Sequence, residues 1–103
     1  NETLLGLDDQ VGRVLDAVDL DDTYVIYTSD NGYSWGEHVL TGKRWAYEES
    51  IRIPLLVRHP ASGHAAGARV GRIVANVDVA PTLLAWLGCA PLAPMDGRPR
   101  MAA

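Results

Sequence analysis

Thr23-Tyr24-Val25-Ile26-Tyr27-Thr28-Ser29-Asp30-Asn31-Gly32 is the stretch on which the fold turns. Tyr24-Val25-Ile26-Tyr27 is β-branched and aromatic with polar residues on either side, and it predicts a buried strand over 24–28. The run stops at Ser29-Asp30-Asn31-Gly32, all turn formers. An acid and an amide therefore stand side by side at the carboxyl end of a strand, where open α/β sheets keep their ligand sites. After a polar loop holding Gly42-Lys43 comes a second apolar run, Ile53-Pro54-Leu55-Leu56-Val57, whose residues 55–58 predict a second strand. Two strands with their loops facing one way carry Asp, Asn, His and Lys between them, a set suited to an oxyanion and a metal.

Outward from this centre the pattern is α/β. Leu4, Leu7, Val11, Val14, Leu15 and Val18 recur at spacings of three and four, which predicts an amphipathic helix over 2–18. Asp8, Asp9, Arg13 and Asp16 fall mainly on its other face, and a solvated surface explains them better than a metal cluster. Residues 32–43 hold three glycines and no clear period, the mark of a functional loop. Residues 45–50 predict a short helix that ends before Pro54. Residues 60–67 predict a surface loop with disorder, and residues 70–77 a third or edge strand. A last helix starts at Asp78 as N-cap, carries Pro81 in its first turn, buries Leu83, Leu84 and Leu87, and stops at Gly88. The proline-rich tail, 91–103, is predicted to wrap the surface.

The chain has 103 residues, 48% of them apolar and 21% charged, with a net charge of −4. That is enough for one small domain and too little for two. No basic cluster stands out, which argues against a nucleic-acid partner. No apolar run approaches the ~20 residues a membrane span needs. The sequence opens without Met and almost at once in a helix, so it reads as a piece of a longer protein. One cysteine excludes an internal disulfide and leaves the compartment open.

Taken alone, each site residue has a plainer reading beside the functional one. Asp30 and Asn31 offer a carboxylate and an amide oxygen, the donors that Ca²⁺ or Mg²⁺ prefer; the same pair is common in turns that bind nothing. Lys43 is a compact positive charge suited to a tetrahedral oxyanion, or a lysine in a glycine-rich turn. His38 is a general acid or hydrogen-bond donor to a substrate, or a structural loop histidine. Tyr33, Trp35 and Trp45 line a pocket or pack the core. His59 and His64, beyond the second strand, have no catalytic role to suggest.

Thr28-Ser29-Asp30-Asn31-Gly32, Gly36-Glu37-His38, Gly42-Lys43, Tyr47-Glu48 and Ile53-Pro54-Leu55-Leu56-Val57 occur in an order that resembles the C-terminal part of the sulfatase family, within the alkaline-phosphatase-like superfamily. Leu7 through Gly12 resembles the family's helix ahead of the metal site. The resemblance covers most of the chain and implies an α/β fold, here a fragment of an alkaline-phosphatase-like sandwich with two or three strands flanked by helices. It further implies hydrolysis of a sulfate ester, Asp30 and Asn31 as ligands of Ca²⁺ or another divalent cation, Lys43 as the sulfate-binding lysine, and His38, by a looser match, as a catalytic or substrate-binding histidine. The family's nucleophile, a formylglycine made in a C-x-P-S/A-R motif, is expected upstream of this chain. Cys89-Ala90-Pro91-Leu92-Ala93 begins like that motif but lacks its Arg and follows the last helix, so Cys89 is expected to be a small buried apolar residue. By this reading the 103 residues alone are inactive. A phosphonate or phosphate ester hydrolase of the same superfamily remains an alternative, as does a non-catalytic module that self-associates through its apolar surface.

Overall fold

The computed structural model describes residues 2–60 and 66–100. They fall into two compact units, Asn1–Gly63 and His64–Ala103.

The first unit runs α1 (Glu2–Asp16), β1 (Val25–Thr28), β2 (Ser34–Trp35), β3 (Thr41–Gly42), α2 (Glu48–Ile51) and β4 (Leu55–Arg58). The apolar period drives α1 as expected, but the helix closes early. Its last bonds tighten to three-residue spacing, Ala17 N–H to Val14 O at 3.1 Å and Val18 N–H to Leu15 O at 3.4 Å. Asp19 then ends it by accepting the Asp21 N–H on its own carboxylate at 2.9 Å, a local turn bond. Arg58 anchors that turn to the far end of β4, donating to Leu20 O at 3.0 Å and to the Asp21 carboxylate at 3.2 Å.

β1 and β4 pair antiparallel, with Val25 opposite Arg58, Ile26 opposite Val57, Tyr27 opposite Leu56 and Thr28 opposite Leu55. Residues 29–54 therefore leave the sheet and return to it at the same end. Every candidate site residue lies in that one excursion. Inside it, where the sequence showed no period, β2 and β3 form a second antiparallel pair, Ser34 opposite Gly42 and Trp35 opposite Thr41.

The sequence predicts that β1 is buried, and here the structure differs. Val25 and Ile26 are half-buried, while Tyr27 and Thr28 are exposed. Among the described residues of this unit no apolar side chain is buried. The reason is local: the paired sheet has two strands, and the apolar stripe of α1 lies open, with Leu4 65% exposed. Leu4, Leu7 and Val11 share an open groove of about 430 Å³ with Tyr27 and Leu56. What is buried in this unit is a pair of hydroxyls, Ser34 and Ser50, whose Oγ atoms lie 3.3 Å apart.

In the second unit the expected strand over 70–77 is absent among the described residues. Residues 70–75 are irregular and find no strand partner, and Asn76–Asp78 form a 3₁₀ turn leading into α3 (Val79–Trp86). Asp78 does occupy the N-cap position, but its carboxylate does not cap the helix. It reaches back to the Ala75 N–H at 3.2 Å and across to the tail, accepting from Arg98 N–H and Arg100 Nε at 2.9 Å each. Thr82 Oγ1 donates to Asp78 O at 2.6 Å and accepts the Arg100 N–H at 2.9 Å. The tail is thus strapped to α3 by a buried acid and a buried hydroxyl. Pro81 and Thr82 are the buried residues of α3; Leu83 and Leu84 are half-buried and Leu87 is exposed, so the expected leucine stripe is not sealed. Cys89 is exposed too, contrary to its reading as a buried residue. Most of the loop predicted over 60–67, with His64, lies outside the described residues.

The strap carries a pH signature. Backbone N–H donation from Arg98, then the Arg100 guanidinium and the Ala75 N–H, hold the Asp78 carboxyl down to about 2. A depressed carboxyl stabilises the fold fully above its unfolded value near 3.8, and that contribution is lost as pH falls through about 2. Asp78→Asn is therefore expected to melt below the parent at pH 6, with the gap narrowing between pH 4 and pH 2. Melting temperature measured against pH checks this; a gap that is constant with pH would show that charge on Asp78 does not matter.

Candidate active site

The Asp30 turn is built by close backbone contact. Gly32 N–H donates to Ser50 O at 2.8 Å, laying the turn against α2. A Cβ on Gly32 would meet Glu49 O at 2.1 Å, so only glycine fits. Side-chain bonds then shape the turn: Ser29 Oγ donates to Asn31 O at 2.8 Å, and Asn31 Nδ2 donates to Gly32 O at 2.7 Å. The second bond fixes the orientation of the amide. Asn31 Oδ1 points outward, and Lys43 Nζ donates to it at 2.9 Å. The same ammonium lies 4.0 Å from Asp30 Oδ2.

Three of the four predicted site residues are thus brought together. Asp30 and Lys43 are 83% and 56% exposed, and a solvent-exposed pair of this kind contributes about 0–1 kcal/mol to stability. Fold stability does not account for their convergence. The two oxygens are hard donors that already draw a cation, the lysine's own ammonium, and in that respect they fit a divalent metal. Two such oxygens are fewer than a divalent ion needs, and among the described residues no three His, Cys, Asp or Glu side chains cluster to hold one.

His38 instead packs against α2 and its N-cap. Gly36–Val39 make a tight reversal between β2 and β3 in which His38 (φ 56°) and Val39 (φ 60°) both take left-handed backbone. Val39 is β-branched, and such a residue at positive φ is a true outlier, of the strained kind, about 1–3 kcal/mol each, that collects at functional sites. The His38 ring stacks on Tyr47, centroids 4.0 Å apart and planes 13° apart. Its Nε2 lies 3.4 Å from Glu49 Oε2. Glu37 completes the reversal: its own N–H and the Trp35 N–H hold its carboxyl below the usual range, with a smaller contribution from His38.

Ser50 and Glu49 escaped sequence reasoning, which saw in 45–50 a short helix and in Tyr47-Glu48 a family motif without a site role of its own. The signal available was the glycine after Asn31, which announces a close backbone approach without naming the partner. Of the aromatics weighed as pocket or core, Trp35 is 82% exposed and packs at a tilt on Tyr33, centroids 4.7 Å apart, so core packing does not explain it. Trp45 is also exposed. His59 packs edge-on against Tyr24 at 4.6 Å, away from the Asp30 turn.

Comparison with known proteins supplies the rest. The family model Sulfatase matches residues 1–89. The chain is 42% identical over 90 residues to an N-acetylglucosamine-6-O-sulfatase of Bacteroides thetaiotaomicron, spanning 84% of this chain and 16% of that protein. It is 40% identical over 96 residues to the multifunctional alkaline phosphatase superfamily protein PehA of Trinickia caryophylli, spanning 89% of this chain and 19% of that one. A solved structure, of a protein in complex with its substrate D-glucosamine-2-N,6-O-disulfate, superposes with a TM-score of 0.83 at 39% identity, covering 94% of this chain and 20% of the other. The chain therefore spans a fifth or less of the length of these relatives. With most of its length matched by the family model and its fold shared with that solved structure, this chain belongs to the sulfatase family.

Proposed function

We propose that this chain is part of an enzyme that hydrolyses sulfate esters, and that it carries one side of the metal and sulfate site. The observation that supports this best is the convergence of Lys43 on Asn31 Oδ1 and Asp30 at an exposed edge, where the fold gains little from it. When bound, a divalent cation such as Ca²⁺ supplies Lewis-acid polarisation and a template for the ester oxygens. Asp30 and Asn31 offer it oxygen ligands. Lys43 offers a point charge to a tetrahedral sulfate. His38 offers a ring nitrogen to the ester or its leaving oxygen. The nucleophile, expected to be a formylglycine, and the remaining ligands belong to the part of the catalytic domain outside these residues. The open apolar faces of α1 and the two-stranded sheet are consistent with cover by that part. On this reading the isolated chain turns over no substrate. The names of the relatives point to N-acetylglucosamine 6-sulfate and its N-sulfated analogue as first substrates to try.

Calcium titration calorimetry on the full-length protein and on Asp30→Ala tests the metal assignment. Saturation near one site in the parent and its loss in the variant is the expected result. Undiminished binding in Asp30→Ala would remove Asp30 from the site. Assaying the parent with sulfate and phosphonate monoesters side by side tests the reaction, and a preference for the phosphonate would overturn the sulfatase reading.

A further inference from the structure

Glu49 is a site-flanking acid that the proposed chemistry leaves unused. Its Oε2 atom is buried and, among the described residues, accepts no hydrogen bond. A carboxylate oxygen removed from water without a donor is costly to keep, and such atoms call for an explanation. The group that faces it is His38 Nε2, 3.4 Å away. That separation is a little longer than a hydrogen bond to a charged group, and catalytic hydrogen bonds are often long before substrate binds.

The surroundings point the ring at Glu49. Tyr47, at the N-cap of α2, lies flat against the imidazole and sets its plane. Two residues on, the same short helix presents Glu49 to the ring edge. Left-handed backbone at His38 and Val39 delivers the imidazole from the other side. Glu37, whose carboxylate is occupied by the Trp35 N–H, and the Tyr47 phenol are further titratable groups near the ring. A solvated loop histidine needs none of this.

We propose that Glu49 is the positioning residue for His38: by accepting from Nε2 it fixes the proton on that nitrogen and the ring's orientation, and leaves Nδ1 as the atom that meets the leaving oxygen, to which it donates when the ring holds a second proton. The pairing stands on the geometry alone; its use in turnover rests on the proposed sulfatase function. α2 then serves both halves of the site, since the carbonyl of Ser50 on the same helix also holds the Asp30 turn through Gly32. A carboxylate that orients a histidine and selects its tautomer is a general device, and its loss typically costs 10–100-fold in activity.

The test uses the full-length protein labelled with ¹⁵N-histidine, as the parent, Glu49→Leu and Glu49→Gln. The nitrogen shifts of neutral His38 are expected to show the Nε2–H tautomer in the parent, a mixture in Glu49→Leu, and a return toward the parent in Glu49→Gln, which keeps an acceptor oxygen. In turnover, kcat is expected to fall about 10–100-fold in Glu49→Leu with KM within about twofold, and to recover in part in Glu49→Gln. Should the leucine variant not fold, Glu49→Ala replaces it. An unchanged tautomer in the variant without an acceptor, or an unchanged kcat in a parent that hydrolyses sulfate esters, overturns the proposal. A tautomer that shifts in a protein with no activity on sulfate esters upholds the pairing and sinks the functional reading instead.

Discussion

Gly32→Ala is expected to cost about 10²-fold in kcat/KM, although Gly32 touches neither metal nor substrate. The added Cβ would lie 2.1 Å from Glu49 O and 2.9 Å from Glu49 C, both backbone atoms that cannot swing aside. Relief requires the turn to lift from α2, which stretches the Gly32 N–H to Ser50 O bond. Asn31, whose amide is braced on Gly32 O, moves with it. A displacement near 1 Å is enough to lose about two orders of magnitude in a positioned site, and the overpacking itself costs about 1–3 kcal/mol of stability. Steady-state kinetics beside urea unfolding measures both effects. An alanine variant with parental kcat/KM would mean that the Asp30 turn is not held by α2 in the way described.

Lys43→Met is expected to lose about 10²–10³-fold in kcat/KM, the usual effect of removing one preorganised charge from a developing anion. Its stability should stay within about 1 kcal/mol of the parent, because the contacts of Lys43 to Asn31 and Asp30 are exposed. That split between activity and stability is the informative part. A lysine that only braced the turn would show the reverse. Lys43→Arg keeps the charge but replaces a point donor with a planar fork, and so should not restore the rate. Full activity in Lys43→Met would remove the lysine from sulfate binding.

What the sequence made legible was local. Asp30, Asn31 and Lys43 sit on short motifs whose order resembles that of the sulfatase family, and the structure brings the three side chains close together. β1, β4 and α1 followed from residue type and period. The failures share a cause, which is that the deciding partner lies far along the chain. Residues 70–77 have strand-like composition, but a strand needs a neighbour to pair with, and Asp78 instead turns its carboxylate back to Ala75 and across to Arg98 and Arg100. Leu87 fell on a helical stripe, yet burial depends on what covers the stripe. Glu49 looked like one more acid in a short helix, because nothing in its neighbours announces that His38 arrives in left-handed backbone to face it.

The antiparallel closure of β1 on β4 has a thermodynamic corollary. Four rungs, from Val25–Arg58 to Thr28–Leu55, shut the mouth of the excursion that holds Asp30, Asn31, His38, Lys43 and Glu49. Stability in proteins is distributed in cooperative units that open as wholes, and this clasp with its contents is expected to open as one such unit. If the strands part, every one of those groups is released together. The converse follows by linkage, since a ligand that binds only the closed form adds its binding free energy to the closed form. Cation or anion captured within the loop would thereby tighten strand pairing at its base, so that occupancy and local order rise and fall as a single equilibrium.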